Sequence, residues 1–387
     1  MVDAATSSER VTVLLVSLGA AYGGAETYYV KLARILQPEY TLVAVVCCER
    51  LAEEFRGLGI AVEWAGATPD MDSSRDSSLD SNGARRYLTA LQACWRIYRR
   101  YPRRHRPRVA HLNGQPESYL AAFLRLLGLR LLITRHTPFT DLFLQEGAAV
   151  PVFLKRWLAV VSLRSAHRTI CVSRLLLGQL SEWLPAPRLS CIPTWVDDAL
   201  LVWHERPVPS RPLHALFVGR VTQNKGIFDL IEAVRRSGKV SLTVVGEGDH
   251  LHTAQQLAEG LPIVFAGFAR DCGPAYRAAD LLVFPSHEGF EGLPQVLLEA
   301  LACGLPCLAA DIAAVREIAE TDVDAAPLFA LFRASDVDDL ARQLSALADN
   351  ADRLGPLGLA GRRAVEQHFT LAVVAPLYLR AFAEAQQ

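Results

Sequence analysis

Near-continuous apolar runs recur along the chain, separated by segments of helical period. VTVLLVS, Val11–Ser17, is the first; Tyr40–Cys47, Val109–Leu112, Leu131–Thr134 and Thr169–Val172 follow. Helical period marks Ala25–Leu36 and Ala84–Arg100 between them. Strands apolar on both faces that alternate with helices predict a parallel sheet covered on both sides. The pattern then restarts. Leu213–Val218, Val240–Val245, Ile263–Ala266, Leu281–Phe284 and Pro306–Ala309 read as strands. Ile227–Arg236, His250–Glu259, Gly273–Ala279 and Pro294–Cys303 read as the helices between them.

Trp195–Arg211, with Pro207, Pro209 and Pro212 around it, separates the two series and reads as a linker. The expected fold is α/β: two doubly wound, Rossmann-like domains facing across a cleft. The expected boundaries are 1–195, a linker at 196–212, a second domain at 213–368 and a C-terminal segment at 369–387. The helix Leu371–Glu384 in that segment follows another helix rather than a strand, and is expected to cross back to the first domain. Residues 65–83 are polar, Ser/Asp-rich and aperiodic, and read as a mobile loop.

Composition narrows the class. A chain of 387 residues, 51% hydrophobic and 21% charged, is globular and long enough for two domains. No run of eighteen apolar residues exists, and MVDAATSSER has no signal-peptide core. A cytoplasmic protein is therefore expected. The eight cysteines are scattered without a CxxC pair, so they read as buried apolar thiols and no metal site is expected. The net charge of −1 hides an asymmetry. Residues 1–195 carry 24 Lys+Arg and 16 Asp+Glu, net +8; the remainder carries 16 and 25, net −9.

Ligands of open parallel sheets bind at the carboxyl ends of strands, so the residues that follow each strand are the candidates. After the first strand, Gly23 and Gly24 precede a helix; free N–H groups and small residues there suit an anion, and a tight turn is the alternative. The spacing is not GxGxxG. Gly246-Glu247-Gly248 comes nearer, but Leu251 stands at the third glycine and no acid ends the next strand, which argues against NAD. After Val218, Gly219-Arg220 and Lys225-Gly226 place two cations in a glycine-bounded loop, a clamp suited to a diphosphate or else two solvated surface charges. After Phe284 comes EGFEGLPQVLLEALACG, with Glu288, Glu291 and Glu299. Pro294 suits a first helical turn. Val296, Leu297, Ala300 and Cys303 form the expected core stripe, with Glu291 and Glu299 off it. Carboxylates are acceptor-only, which suits vicinal diols, while loop N–H groups around Gly292 and Leu293 suit phosphate or sugar oxygens. In the first half, His136 follows a strand end; a structural histidine is the alternative.

YGGAE (22–26), FVGRVTQNKGIFDLIEAV (217–234), LTVVGEGDHL (242–251) and SHEGFEGLPQVLLEALACGLP (286–306) together resemble the retaining glycosyltransferases of family 4, which have the GT-B fold. Glu291 and Glu299 stand as that family's E-x7-E pair, and Glu288 is extra. VSR (172–174) and IPTWVD (192–197) fall where the family has similar pieces. The resemblance spans about 11–385 and is more specific in the second domain. It implies that the second domain holds a nucleotide-diphosphate sugar, UDP- or GDP-linked, as co-substrate, with no other cofactor and no metal. Arg220, Lys225 and Gly219 are implied at the diphosphate, Glu299 at the ribose and Gly267 and Phe268 at the base. Gly292 and Leu293 are implied at the donor, and Glu291 at the sugar hydroxyls near the reacting carbon; Glu291 and His136 are the expected catalytic residues. His136 is implied at the donor sugar from across the cleft, and Gly23 and Gly24 at the phosphate and acceptor.

The implied reaction is retaining transfer of a hexosyl group to a glycan or lipid-linked acceptor in cell-surface polysaccharide or glycolipid synthesis. Three stretches depart from the family. Thr194-Trp195 replaces an Asn-Gly, Ala313-Ala314 replaces a Gly-Gly, and ETDVDAAPLF (320–329) replaces a glycine-containing turn. A nucleotide-sugar epimerase or hydrolase of the same fold, or a non-catalytic partner in a polysaccharide-assembly complex, is the alternative. Residues 84–108 hold nine arginines and no acid, interleaved with Trp95, Tyr98 and Tyr101; residues 150–168 are a second basic apolar segment. An anionic membrane surface, at the inner leaflet, is the expected partner; nucleic acid is the rival for the first segment and is not expected.

Overall fold

The computed structural model describes residues 10–19, 22–66, 81–114, 118–138, 152–202, 212–321 and 327–386, with backbone alone at 81–85, 152–156 and 158. The chain forms two compact units, Met1–Ile192 with Ala375–Gln387, and Pro193–Val374. The helix Leu371–Glu384 thus begins in the second unit and continues into the first. The linker expected at 196–212 lies largely outside the described residues, at 203–211, and so does most of the loop expected at 65–83.

The first unit holds seven strands: β1 (Thr12–Ser17), β2 (Thr41–Val46), β3 (Ala61–Trp64), β4 (Val109–Asn113), β5 (Arg130–Arg135), β6 (Arg168–Cys171) and β7 (Leu189–Cys191). They pair in parallel in the order β3-β2-β1-β4-β5-β6-β7. The order reverses between β1 and β4, the switch point at which such sheets bind ligands. Central strands carry the uninterrupted apolar runs and are buried end to end, as β1 is. The edge strands β3 and β7 were not expected: each has four residues or fewer, and neither has a buried position. Helices at Glu49–Gly57, Ala121–Leu126, Val152–Ser165 and Arg174–Ser181 add to the two that periodicity marks.

The second unit repeats the plan with β8 (Leu213–Val218), β9 (Val240–Val245), β10 (Ile263–Gly267), β11 (Leu281–Phe284), β12 (Cys307–Ala310) and β13 (Ala330–Phe332). Their order is β10-β9-β8-β11-β12-β13, again parallel. Pro306, expected inside a strand, stands before β12, and its carbonyl accepts from Leu282 N–H at 2.9 Å. Pro294 is the residue that precedes the helix Gln295–Ala302 rather than its first turn. Val296 is half-buried there; Leu297, Leu298, Ala300, Leu301 and Cys303 form the buried face.

The strand ends of the second unit meet through glycine. Gly246 has φ +143°, and a β-carbon on it would lie 1.9 Å from the Gly219 carbonyl oxygen. Gly260 also has a positive φ, +76°, in the left-handed region, with open space around it. Gly246→Ala should therefore cost about 3 kcal/mol or more in denaturant unfolding, from strain plus collision, and Gly260→Ala about 1 kcal/mol from strain alone. Equal losses would contradict this account.

Candidate functional site

Three loops of the second unit leave adjacent strands, β9, β8 and β11, at their carboxyl ends. Backbone bonds stitch them together. Gly219 N–H donates to Val245 O, Val221 N–H to Glu247 O, and His250 N–H to Val221 O, at 3.0, 2.9 and 3.1 Å. His287 N–H donates to Asn224 O at 3.0 Å. Between these loops lies an open pocket of about 480 Å³, lined by Arg220, Thr222, Asn224, Asp249, His250, His287 and Phe290 among others. Arg220 is exposed, and among the described residues its guanidinium makes no hydrogen bond or ion pair. It is the cation best prepared to take an incoming anion.

Lys225 is prepared differently. Its Nζ stands 2.6 Å from Glu291 Oε1, and Ser286 Oγ donates to the same oxygen at 2.6 Å. Glu291 is buried, 8% exposed, and among the described residues its Oε2 has no partner. The carboxylate is thus held by one oxygen and offers the other. Neither Lys225 nor Glu291 lines the pocket.

Glu299 belongs to a separate group. The hydroxyl of Tyr276, fully buried, donates to Glu299 Oε2 at 3.0 Å, and Gln295 Nε2 lies 3.4 Å from Oε1. Burial, and then the Glu299 charge, raise the Tyr276 phenol well above its usual range, which keeps it a donor. Gln295 Nε2 also donates to the Trp195 carbonyl at 3.0 Å, so the Thr194-Trp195 departure reaches the Glu299 group through backbone. Glu288 faces elsewhere: its Oε2 accepts from Ala313 N–H at 3.1 Å, capping the helix that starts at the Ala313-Ala314 departure. Half of the 320–329 departure, residues 322–326, lies outside the described residues. Gly267 has φ +73°, and its carbonyl accepts from Gly246 N–H at 2.8 Å; Phe268 beside it is 44% exposed. Gly292 is buried and Leu293 half-buried in the turn between Glu291 and the helix.

In the first unit, Gly23 precedes the helix Gly24–Leu36, and Glu26 Oε2 accepts its N–H at 3.0 Å. Among the described residues, a β-carbon on Gly24 would meet no atom beyond its own helix backbone and chain neighbours within 4 Å, and one on Gly23 only Glu26 Oε2 at 3.6 Å. Packing among the described residues therefore does not demand this glycine pair. His136 is half-buried, with Nε2 3.0 Å from Asn113 Oδ1 and its ring 4.5 Å from the ring of Tyr28, edge-on. Tyr28 Oη and His111 Nε2 both meet Thr134 Oγ1, at 3.1 and 2.8 Å. Asn224, His250, His287, Ser286 and Tyr276 were not anticipated. All five lie within nine residues after the end of a second-unit strand, so a wider search around strand ends reaches them. Among the described residues no group of three or more His, Cys, Asp or Glu could hold a metal ion.

The sequence matches Glycosyltransferase Family 4 over residues 22–200 and Glycosyl transferases group 1 over residues 212–350. The chain belongs to the family 4 glycosyltransferases and has the two-domain GT-B fold. It is 29% identical over 162 residues to the sulfoquinovosyl transferase SQD2 of Arabidopsis thaliana, which covers 41% of this chain and 31% of that one. It is 26% identical over 220 residues to the putative colanic acid biosynthesis glycosyltransferase WcaL of Escherichia coli K12, 52% of this chain and 53% of that one. The chain thus spans at most about half the length of these two curated relatives. In structure it is similar to Anabaena HepE in complex with UDP and glucose, with a TM-score of 0.76 at 16% identity over 97% of this chain and 100% of that one.

Burial, and secondarily Arg135, push the His136 imidazole down to about 3. Burial, and then His136, push fully buried His111 down to about 3 as well. Both titrate near 6.5 when unfolded, so the unfolded chain binds more protons between these values. Stability is then complete above about pH 6.5 and is lost as pH falls toward 3. The midpoint of thermal unfolding of the first unit should fall between about pH 7 and pH 5, and fall less in His111→Gln. A midpoint flat over that range in the wild type contradicts the buried neutral pair.

Proposed function

We propose that this chain transfers a hexosyl group, with retention, from a nucleotide-diphosphate sugar to a glycan or lipid-linked acceptor in cell-surface polysaccharide or glycolipid synthesis. The observation that carries the reading is Arg220: an unpaired guanidinium on a pocket at the carboxyl end of β8, in a family 4 chain. Its planar fork suits a diphosphate. The UDP bound by HepE supports uridine as the base. In this reading Lys225 shares its charge between Glu291 and the phosphate, and the loop N–H groups of Gly292 and Leu293 point to phosphate oxygens. Glu299 takes the ribose hydroxyls, Glu291 Oε2 a sugar hydroxyl, Gly267 and Phe268 the base, and His136 the donor sugar. Gly23 and Gly24 take the phosphate and acceptor.

The bond from the anomeric carbon to the phosphate oxygen breaks, and its electron pair leaves with the diphosphate. The acceptor hydroxyl oxygen bonds that carbon on the same face, and its proton passes to the departing phosphate oxygen. Negative charge grows on the diphosphate, where fixed cations and N–H dipoles stabilise it. The reading assigns this counter-charge to Arg220 and Lys225, without a metal or other cofactor.

Calorimetry with UDP and GDP tests the donor site. One of the two should bind, and Arg220→Ala should weaken it at least about tenfold. Failure of both to bind at millimolar concentration favours a non-catalytic partner of the same fold. Free sugar or isomerised donor formed without acceptor favours the hydrolase or epimerase.

A second reading concerns the acceptor side. Trp95, 43% exposed, stacks on Tyr98 with ring centroids 6.2 Å apart, and Arg99 and Arg106 lie over the two rings. Trp157 is exposed in the second basic segment. Among the described residues no helix is long and apolar enough to cross a membrane. Exposed aromatic rings flanked by arginines suit peripheral contact with anionic lipid, where a lipid-linked acceptor resides. The protein should float with vesicles rich in phosphatidylglycerol at low salt, and less in Trp95→Ala with Arg99→Ala; recovery only in the bottom fractions sinks this part.

A further inference from the structure

One side chain joins three strand ends of the first unit. Asn113 is the last residue of β4, 4% exposed, and β4 lies between β1 and β5. Its Nδ2 donates to the carbonyl oxygen of Ala25 at 2.9 Å, in the first turn of the helix that follows β1 and the glycine pair. Its Oδ1 lies 3.0 Å from Nε2 of His136, the residue after β5. The amide cannot be turned over at no cost, because Oδ1 would then oppose the Ala25 oxygen, acceptor against acceptor. Oδ1 therefore faces His136, and it can only accept.

The hydrogen of that bond must then sit on His136 Nε2. Burial keeps the imidazole neutral, at about 3, and a neutral imidazole carries a single N–H. The other nitrogen, Nδ1, holds a lone pair and has no partner among the described residues. The edge-on ring of Tyr28, at an interplanar angle of 68°, restrains the ring plane.

We propose that Asn113 is a positioning residue that fixes His136 as the Nε2–H tautomer, leaving Nδ1 as the hydrogen-bond acceptor for a hydroxyl of the donor sugar. The sugar half of this statement rests on the donor reading of His136; the tautomer half stands without it. His136 then accepts from the sugar and donates nothing to it. The Ala25 carbonyl, next to Gly23 and Gly24, becomes part of what orients the imidazole.

The test uses the full chain labelled with ¹⁵N-histidine, with His136 assigned by difference from His136→Phe. The wild type should show a protonated Nε2 and a bare Nδ1. Asn113→Leu removes the acceptor and should show a mixture. Turnover in Asn113→Leu should fall about 10- to 100-fold, mainly in kcat, with nucleotide affinity within about twofold of wild type. A protonated Nδ1 in the wild type overturns the proposal, and the wild-type spectrum decides it if Asn113→Leu does not fold. An unchanged tautomer in Asn113→Leu overturns it equally. A lost tautomer with unchanged kcat overturns the positioning role. Absence of turnover in the wild type counts against the proposed reaction, and the nitrogen spectra still decide the tautomer.

Discussion

The carbonyl oxygen of Gly219 lies 1.9 Å from the place where a β-carbon on residue 246 would stand. Two loops from neighbouring strands share that space because residue 246 has no side chain. A second close approach sets Gly226, φ +70°, against the carbonyl oxygen of Pro285, 2.0 Å from where its β-carbon would be. Loops at the end of a parallel sheet are ordinarily the least constrained part of the fold. Here they are pressed backbone to backbone, so the points at which Arg220, Lys225, Ser286 and His287 leave the chain are set by main-chain packing. The polar side chains inherit their places from that contact rather than creating it.

Given those places, charge decides what each group can do. Lys225 and Arg220 leave the same loop, yet one is paired and the other is not. The paired lysine is partly buried beside a buried carboxylate, a location where an isolated charge of either sign would carry a large desolvation cost. The arginine is exposed and needs no partner to remain charged. Such a division lets the loop keep an open cation for an incoming anion without leaving a buried carboxylate uncompensated. It also explains why Glu291 has one oxygen committed and one available.

Much of the fold was legible because parallel strands buried on both faces appear as apolar runs, and the restart of the pattern after residue 212 marks the second sheet. The edge strands β3, β7 and β13 were not legible: three or four residues, mostly half-exposed or exposed, carry too little pattern. Chain positions of the candidate site residues followed from strand ends, but their pairing did not. Glu288, Glu291 and Glu299 sit within twelve residues and look alike in sequence. In the structure the first caps a helix at Ala313, the second binds Lys225 and Ser286, and the third takes a buried phenol. Their partners lie up to 66 residues away, and spacing alone does not report such distances. Asn113 was missed for the same reason, since Ala25 and His136 are 88 and 23 residues from it.

The two units arrange their strand-end polar groups differently. In the second, Arg220, Lys225, Glu291 and Glu299 gather formal charge. In the first, buried Arg135 and Glu26 carry charge, but the hydrogen-bonded cluster at His136 is neutral: His111 and His136 are held unprotonated, Tyr28 is held protonated, and Thr134 and Asn113 have no charge to lose. Burial produces both neutral histidines, and their hydrogen bonds to Thr134 and Asn113 are arranged for that state. A reaction that builds negative charge on a diphosphate and positive charge on a sugar ring gains from fixed charge at the leaving group. At the sugar it gains from groups that orient hydroxyls without placing a positive charge beside an electron-poor ring. In the proposed reaction a neutral imidazole offering a lone pair meets that requirement and a protonated one does not, so the burial that lowers the stability of the first unit in acid also serves the role proposed for His136.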